Sequence, residues 1–302
     1  RARAETYRQA SIRAENRLPA GARDSVIAYL TAAVAFSPDD TALRQRLADV
    51  RYEEYLARRA TDPWTAEREY LRPALRDYLA AREANPLLHQ PHARLAGNRS
   101  QLTNAESTIR YLERATRVRP VEPGLWYLLG LAHLTADTPE RAWACWRKSL
   151  LCSPAHLELM IPQTLARGGA SALVEGVLPA DAKLVLEAAK SPALAGQPVA
   201  RRVVLERALE LAGDAPGRAD ALYRRAWLLR ELGRTAEAIR AYDLAVSRDP
   251  DQAEWRVELA ELYLAAGDPK SAAEHVRRAL RDRPDFRPAR DLDAKLLGVS
   301  AP

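Results

Sequence analysis

The sequence predicts an all-α protein built from repeated helical hairpins. Its strongest sign is an internal repeat, in which small and helix-ending residues recur after 34 positions. The matched pairs are Gly233 and Gly267, Ala238 and Ala272, Ala245 and Ala279, and Pro250 and Pro284. Composition agrees, because Arg and Ala are abundant while only 13 of the 302 residues are Gly, a mixture that favours helix. Apolar residues make up 47% and charged residues 28%, as in ordinary folded proteins.

Each repeat reads as two helices joined by a glycine turn. A helix over 220–232 precedes Gly233, and a second helix follows over 235–248. Asp249-Pro250 ends the second helix, since proline cannot continue it. One such hairpin cannot bury its own apolar face, so the repeat predicts stacked neighbours.

Small residues stand where the helices of each hairpin would pack closely. On the first helices the small residues are Ala226 and Ala260. On the second helices two small residues stand on either side of a larger one, in the sets Ala238, Tyr242, Ala245 and Ala272, Val276, Ala279. In these residues and in the period of 34 the unit resembles the tetratricopeptide repeat (TPR) family. The resemblance implies a right-handed superhelical solenoid of helix-turn-helix repeats, whose first helices line a concave groove for a peptide or protein.

Residues 1–86 are expected to form irregular N-terminal hairpins of this type, with helices over 3–18, 23–36, 41–59 and 66–84. Asp39-Asp40-Thr41 is a cap signal for the third helix. An insertion near 60–66 lengthens the second hairpin. Pro73 lies inside its second helix, where it predicts either a kink or a later helix start.

The repeat is regular in two further parts of the chain. Pro86, Pro120 and Pro154 are each 34 residues apart, which predicts two regular repeats over 87–154. The period then breaks, and Gly and Pro signals predict irregular helical hairpins over 155–217, with helices over 156–166, 170–177, 180–190 and 198–212. Two regular repeats occupy 218–284, and 285–302 is expected to form a capping helix and a tail. The sum is about eight hairpins and a cap.

Charge, hydropathy and cysteine content bound the class of protein. The net charge of +6 permits an acidic partner, but the arginines alternate with Glu and Asp, which favours a salt-bridged surface over a nucleic-acid stripe. No run of 18 apolar residues exists, so we expect a soluble chain without a membrane span, in the cytoplasm or the periplasm. A start at Arg1 suggests a processed or excised piece. Cys145 and Cys152, seven residues apart on one helix, are interpreted as small core residues.

Motifs for chemistry are absent from the sequence. It contains no phosphate-binding glycine loop, no H-E-x-x-H and no G-x-S-x-G. His89 and His92 are near neighbours, but a metal would need two further ligands. We therefore expect no catalytic residue, metal, cofactor or small-molecule substrate.

The predicted groove set follows from counting along each first helix from its small residue. It comprises Gln45, Asp49, Tyr52, Gln90, Tyr127, Leu131, Tyr223, Trp227, Arg230, Glu254 and Glu261. Tyr, Trp and Arg are the residues that most often anchor interfaces, which favours Tyr127, Tyr223, Trp227 and Arg230. For Tyr223 and Trp227, packing between hairpins is an equal alternative.

The function predicted from these observations is a non-catalytic protein–protein interaction scaffold. Three alternatives stay open at this point. One is the soluble TPR region of a larger bacterial cell-envelope protein, such as a polysaccharide polymerase or ligase or a secretion component. A second is a binder of an acidic partner or nucleic acid, and a third is an enzyme with a pocket in 155–217. The sequence does not select an oligomeric state.

Overall fold

The structure is a computed structural model that describes residues 2–15, 23–102, 106–213 and 218–298. Parts of the predicted first helix (16–18) and the predicted tail (299–302) lie outside the described residues. Within them the chain is helical and contains no strand, which confirms the all-α class. It divides into two compact units, residues 1–156 (unit 1) and 157–302 (unit 2).

Unit 1 contains four helical hairpins among its described residues. Its helices are α1 (Ala2–Glu15), α2 (Asp24–Phe36), α3 (Thr41–Arg58), α4 (Pro63–Ala66), α5 (Arg72–Ala84), α6 (His89–Gly97), α7 (Thr108–Val118), α8 (Pro123–Thr135) and α9 (Pro139–Cys152). The pairs are α1 with α2, α3 with α5, α6 with α7, and α8 with α9. As predicted, α3 is capped by Asp40, whose carboxylate accepts hydrogen bonds from the backbone N–H groups of Ala42 and Leu43.

The second hairpin of unit 1 differs from the sequence prediction at Pro73. Helical backbone begins at Pro63, passes through a π-helical turn over Glu67–Leu71, and continues as α5. The N–H of Arg72 reaches back to the carbonyl of Glu67 in this wider turn. Pro73 follows at once in the first turn of α5, where a missing N–H is tolerated. The chain therefore accommodates Pro73 with a π turn.

Unit 2 contains four more hairpins and a closing helix. Its helices are α10 (Leu157–Ser171), α11 (Ala182–Lys190), α12 (Pro198–Ala212), α13 (Ala219–Glu231), α14 (Thr235–Arg248), α15 (Ala253–Ala265), α16 (Pro269–Asp282) and α17 (Arg287–Leu296). A π-helical segment, Ala172–Val177, pairs with α10, followed by α11 with α12, α13 with α14, and α15 with α16. The predicted break near Gly169 is present as a non-helical residue with φ of 69°.

The small residues that carry the resemblance form the cores between helices. Ala226, Ala238 and Ala245 have no exposed surface, and Tyr242 is fully buried beside them. The turns of these hairpins use Gly233 (φ 73°) and Gly267 (φ 82°), a left-handed conformation that glycine adopts without strain. In unit 2, Ala289 and Leu292 of α17 pack on α15 and α16.

Candidate functional site

The first helices of the last two hairpins meet through side chains in unit 2. Tyr223 of α13 stacks on Trp255 of α15, with ring centroids 4.7 Å apart and planes 11° from parallel. Its hydroxyl donates a hydrogen bond of 2.9 Å to Glu258, also on α15. Tyr223 is half-buried in these contacts. Tyr223 therefore packs between hairpins and contributes to the surface at the same time.

Glu258 is the centre of a polar junction. It accepts a hydrogen bond from the buried hydroxyl of Tyr242 on α14. The Arg230 guanidinium of α13 lies 3.5 Å from Glu258 and 3.7 Å from Glu261. Burial and the Glu258 carboxylate together raise the pKa of Tyr242, and they raise the pKa of Tyr223 to about 12. Both phenols therefore stay neutral donors at physiological pH.

The other predicted residues of unit 2 have separate partners. Trp227 is half-buried on α13, and the Lys190 ammonium at the end of α11 lies 4.7 Å from its ring centroid. Glu254 forms an ion pair with Arg283. The structure thus brings Tyr223, Arg230 and Glu261 together around Glu258, whereas Trp227 and Glu254 flank that junction with their own contacts.

Unit 1 has a corresponding junction between its second and third hairpins. The fully buried Tyr78 of α5 donates a 2.6 Å hydrogen bond to Asp49 of α3, and Arg94 of α6 approaches the same hydroxyl. Burial, and then Asp49, raise the pKa of Tyr78. The guanidinium of Arg94 also lies 4.5 Å from the centroid of Tyr52. Gln45 of α3 donates a hydrogen bond to Gln90 of α6. Predicted groove residues therefore link α3 to α6.

The two junctions place opposite charges at related positions. Each buried tyrosine is followed 16 residues later by the charged residue of the next hairpin, Arg94 after Tyr78 and Glu258 after Tyr242. The partner of opposite sign comes from the first helix of the same hairpin, Asp49 in one case and Arg230 in the other. Arg94 and Glu258 were missed in the sequence, although the shared spacing of 16 was there to find them.

The fourth hairpin of unit 1 has an aromatic stack. Tyr127 of α8 lies 4.7 Å from the His156 ring at an interplanar angle of 8°, and 6.1 Å from the Trp146 ring. Trp146 is fully buried, and its indole N–H donates to the backbone carbonyl of Tyr127. Leu131, one turn further along α8, is half-buried. Tyr127 and Leu131 therefore lie at the surface of unit 1.

The histidines and cysteines in the described ranges form no assembled ligand set. His92 is buried with its Nε2 3.1 Å from the Pro86 carbonyl, and burial lowers the pKa of its imidazole. The described residues hold no group of three or more His, Cys, Asp or Glu side chains placed to bind a metal. Cys145 is buried as predicted, and burial raises its pKa to about 11. The expectation that Cys152 is a core residue is wrong, because it lies exposed on the last turn of α9.

A cavity of about 440 Å³ lies near the end of the segment 155–217. Glu206, Glu210 and Arg234 line it, and each pairs with a neighbour on its own helix or turn. Pairs of this kind are ordinary surface salt bridges. Across the part of the chain that the structure describes, no helix combines the length and apolar character needed to cross a bilayer.

The solved structures to which this chain is similar share little sequence identity with it. A tetratricopeptide repeat protein from Parabacteroides merdae is 15% identical over 98% of this chain and 100% of its own, with a TM-score of 0.40. YrrB, described as a TPR protein with an unusual peptide-binding site, is 18% identical over 72% of this chain and 97% of its own (TM-score 0.36). Yeast Tom70 is 15% identical over 91% of this chain and 60% of its own (TM-score 0.35). No curated protein matches the chain.

Two family models of the tetratricopeptide repeat match the sequence. One matches residues 229–296, and the other matches 91–144 and 198–253. Together they cover half of the chain, including the helices that carry the polar junction of unit 2, and α8 with the start of α9 in unit 1. The protein therefore belongs to the tetratricopeptide repeat family, whose helical hairpins are a scaffold for protein–protein interaction.

Proposed function

We propose that the first helices α13 and α15 of unit 2 bind a peptide or protein segment in a concave groove, and that the chain acts as a non-catalytic adaptor. The observation that carries the proposal is the partial exposure of three residues on α13 that are also held by contacts to other helices. Tyr223, Trp227 and Arg230 are each half-exposed, and each is fixed by a contact to another helix. Side chains held in place before binding lose little entropy when a partner arrives.

The chemistry of this surface favours a polar segment with one apolar anchor. Arg230 can donate to a carbonyl or carboxylate, whereas the exposed Glu261 can accept from an amide or an ammonium group. Trp227, one turn before Arg230 on α13, offers an aromatic face. In unit 1, Tyr127 and Leu131 of α8 are half-exposed as well, as is Tyr52 of α3. We propose that Tyr52 and the regular repeats over 87–154 and 218–284 contribute to the interaction.

The test is selection of peptides from a random display library against the purified chain. Selected peptides are then titrated by fluorescence anisotropy against wild type and against a Trp227→Ala, Glu261→Gln double variant. We expect the double variant to weaken binding by about tenfold or more, since it removes an aromatic anchor and a charged acceptor. Tyr223 is left intact because its loss would also break contacts to Trp255 and Glu258.

Leu244→Ala is the matched control, because Leu244 is exposed on the second helix α14 of the same hairpin. Its affinity should stay within about twofold of wild type. Circular dichroism establishes that every variant keeps its helix content. If the selected peptides bind the double variant as tightly as wild type, the α13–α15 groove is not the binding surface.

A further inference from the structure

The net positive charge of the chain belongs to one unit. Unit 1 contains 24 Lys and Arg residues against 18 Asp and Glu, whereas unit 2 contains 22 of each sign. The whole net charge of +6 therefore belongs to unit 1. A local excess of this size raises the concentration of anionic partners near the surface that holds it.

Part of that excess lines a cavity of about 660 Å³ in unit 1. One wall is the π turn and α5, which supply Arg68, Arg72 and Arg76. The facing wall is the short helical turn Arg99–Gln101, which follows α6. Leu75, Leu79 and Leu102 form an apolar floor between the walls. The cavity thus combines a row of guanidinium groups with an apolar floor. Its residues are different from those of the groove proposed in unit 2.

The three arginines are spaced four residues apart, so they follow one side of the helical backbone at intervals of about 6 Å. Two of them form ion pairs in which the arginine itself is exposed, Arg68 with Glu69 at 2.8 Å and Arg72 with Glu67 at 2.9 Å. Pairs of this kind contribute about 0–1 kcal/mol, so a partner's carboxylates can replace them. Among the described residues, Arg76 forms no salt bridge, and the neighbouring Asp77 is paired with Arg51 instead.

We infer that this cavity, the Arg68–Arg72–Arg76 pocket, binds an acidic amphipathic helix of a partner protein. Carboxylates at positions i, i+4 and i+8 of such a helix repeat at about the same 6 Å interval as the guanidinium groups. Leucine-like residues beside them would cover the apolar floor. The described residues that line the cavity include no aromatic ring on which a base could stack, which disfavours a single-stranded nucleic acid. A lone inorganic anion would leave most of the volume and the leucines uncovered.

The probe is a labelled 16-residue helical peptide with three Glu residues at successive i, i+4 positions and a Leu stripe beside them. Its partner probe carries Gln in place of each Glu. We expect the Glu peptide to bind the full chain in fluorescence anisotropy, with an affinity that falls as salt rises, and the Gln peptide to bind at least tenfold more weakly. An Arg72→Gln, Arg76→Gln double variant should lose about tenfold in affinity for the Glu peptide and show a flatter salt dependence.

Arg202→Gln is the control, because Arg202 is an exposed, ion-paired arginine on α12 of unit 2. It should leave the affinity within about twofold of wild type. The inference is overturned if wild type fails to bind the Glu peptide, if Arg202→Gln weakens binding as much as the double variant, or if the Gln peptide binds equally well. A single-stranded polynucleotide that outcompetes the peptide with the same dependence on Arg72 and Arg76 would also overturn it. The Trp227→Ala, Glu261→Gln variant should bind the Glu peptide normally, which separates this pocket from the groove.

Discussion

Gly130 of α8 shows how one residue sets the distance between two helices. The buried indole of Trp146 lies directly against its Cα, and a methyl group added there would overlap the ring. The same indole donates a hydrogen bond to the carbonyl of Tyr127, so it cannot move away without losing that bond. The close approach of α8 and α9 therefore depends on the missing side chain at this position.

We expect Gly130→Ala to lower the free energy of unfolding by about 1–3 kcal/mol, the usual cost of overfilling a packed core. Gly97→Ala is the control, because a methyl group at Gly97 would meet no atom within 4 Å. That change should be neutral or stabilise α6 by up to about 1 kcal/mol, since alanine favours helix. Urea unfolding monitored by circular dichroism measures both. Equal effects of the two substitutions would contradict the packing role of Gly130.

At this scale the sequence predicted packing better than polar contacts. Ala226 and Ala238 stand out because small residues at fixed places in a repeat have one structural meaning. Glu258 and Arg94 do not stand out, because charged residues on a helix usually face solvent. Their role arises only when the next hairpin brings them to a buried tyrosine. Contacts between hairpins are therefore the part of the candidate site that single-helix patterns do not reveal.

Among the elements, the second helix of the α3–α5 hairpin shows the limit of proline as a signal. Pro73 predicted an interruption, and the structure places a π turn over Glu67–Leu71 before it. That turn also orients Arg68 toward the same cavity as Arg72 and Arg76. A π turn leaves no residue signature of its own, since it is one additional residue absorbed by the hydrogen-bond ladder. Helix existence was predictable here, and the local winding was not.

The last helix, α17, covers the core of the final hairpin, so a substitution in its buried face should affect local stability. Leu292 is buried against a cluster that includes Val257, Val276 and Ala279. We expect Leu292→Asp to detach α17 at a cost of roughly 2–4 kcal/mol in local stability, since it removes a buried side chain and introduces a charge. Hydrogen exchange should accelerate in α17 and in the facing part of α16, while α13 keeps its protection.

Lys295→Ala is the control for this helix, because Lys295 is an exposed residue of α17. This substitution should leave hydrogen exchange unchanged. Uniform acceleration across unit 2 in Leu292→Asp would show that α17 is not a separable cap.

For the molecule as a whole, the 34-residue period predicted the four regular hairpins over 87–154 and 218–284, because each unit of the repeat is one supersecondary element. Eight hairpins and a closing helix are present among the described residues. The division into units after His156 falls two residues beyond Pro154, where the period is interrupted. Its cause is non-local packing, so no residue there predicts it directly.

Alkaline pH is expected to destabilise both units through tyrosines whose phenols are buried or half-buried. The folded state raises the pKa of Tyr70 in unit 1, and of Tyr223 and Tyr263 in unit 2, to about 12, from an ordinary value of about 10. Below pH 10 both folded and unfolded chains keep these protons, and stability is unaffected. Between pH 10 and 12 only the unfolded chain releases them, so the free energy of unfolding must fall as pH rises.

Urea unfolding at several pH values measures this fall, and absorbance at 295 nm reports phenolate formation. In the folded chain, Tyr70, Tyr223 and Tyr263 should form phenolate only above the ordinary pKa of a phenol. A Tyr223→Phe variant should show a smaller loss of stability over the same window. A single transition near pH 10 with no change in stability would contradict the burial argument.

The opposite charges at the two tyrosine junctions also constrain the order in which hairpins can be joined. If the α13–α14 hairpin were followed by α6, Arg230 and Arg94 would meet at one buried hydroxyl; if the α3–α5 hairpin were followed by α15, Asp49 and Glu258 would meet. Like charges in such a place repel strongly. Exchanging or duplicating these repeats should therefore lower stability, because each hairpin carries a charge that complements its present successor and repels the charge of the other.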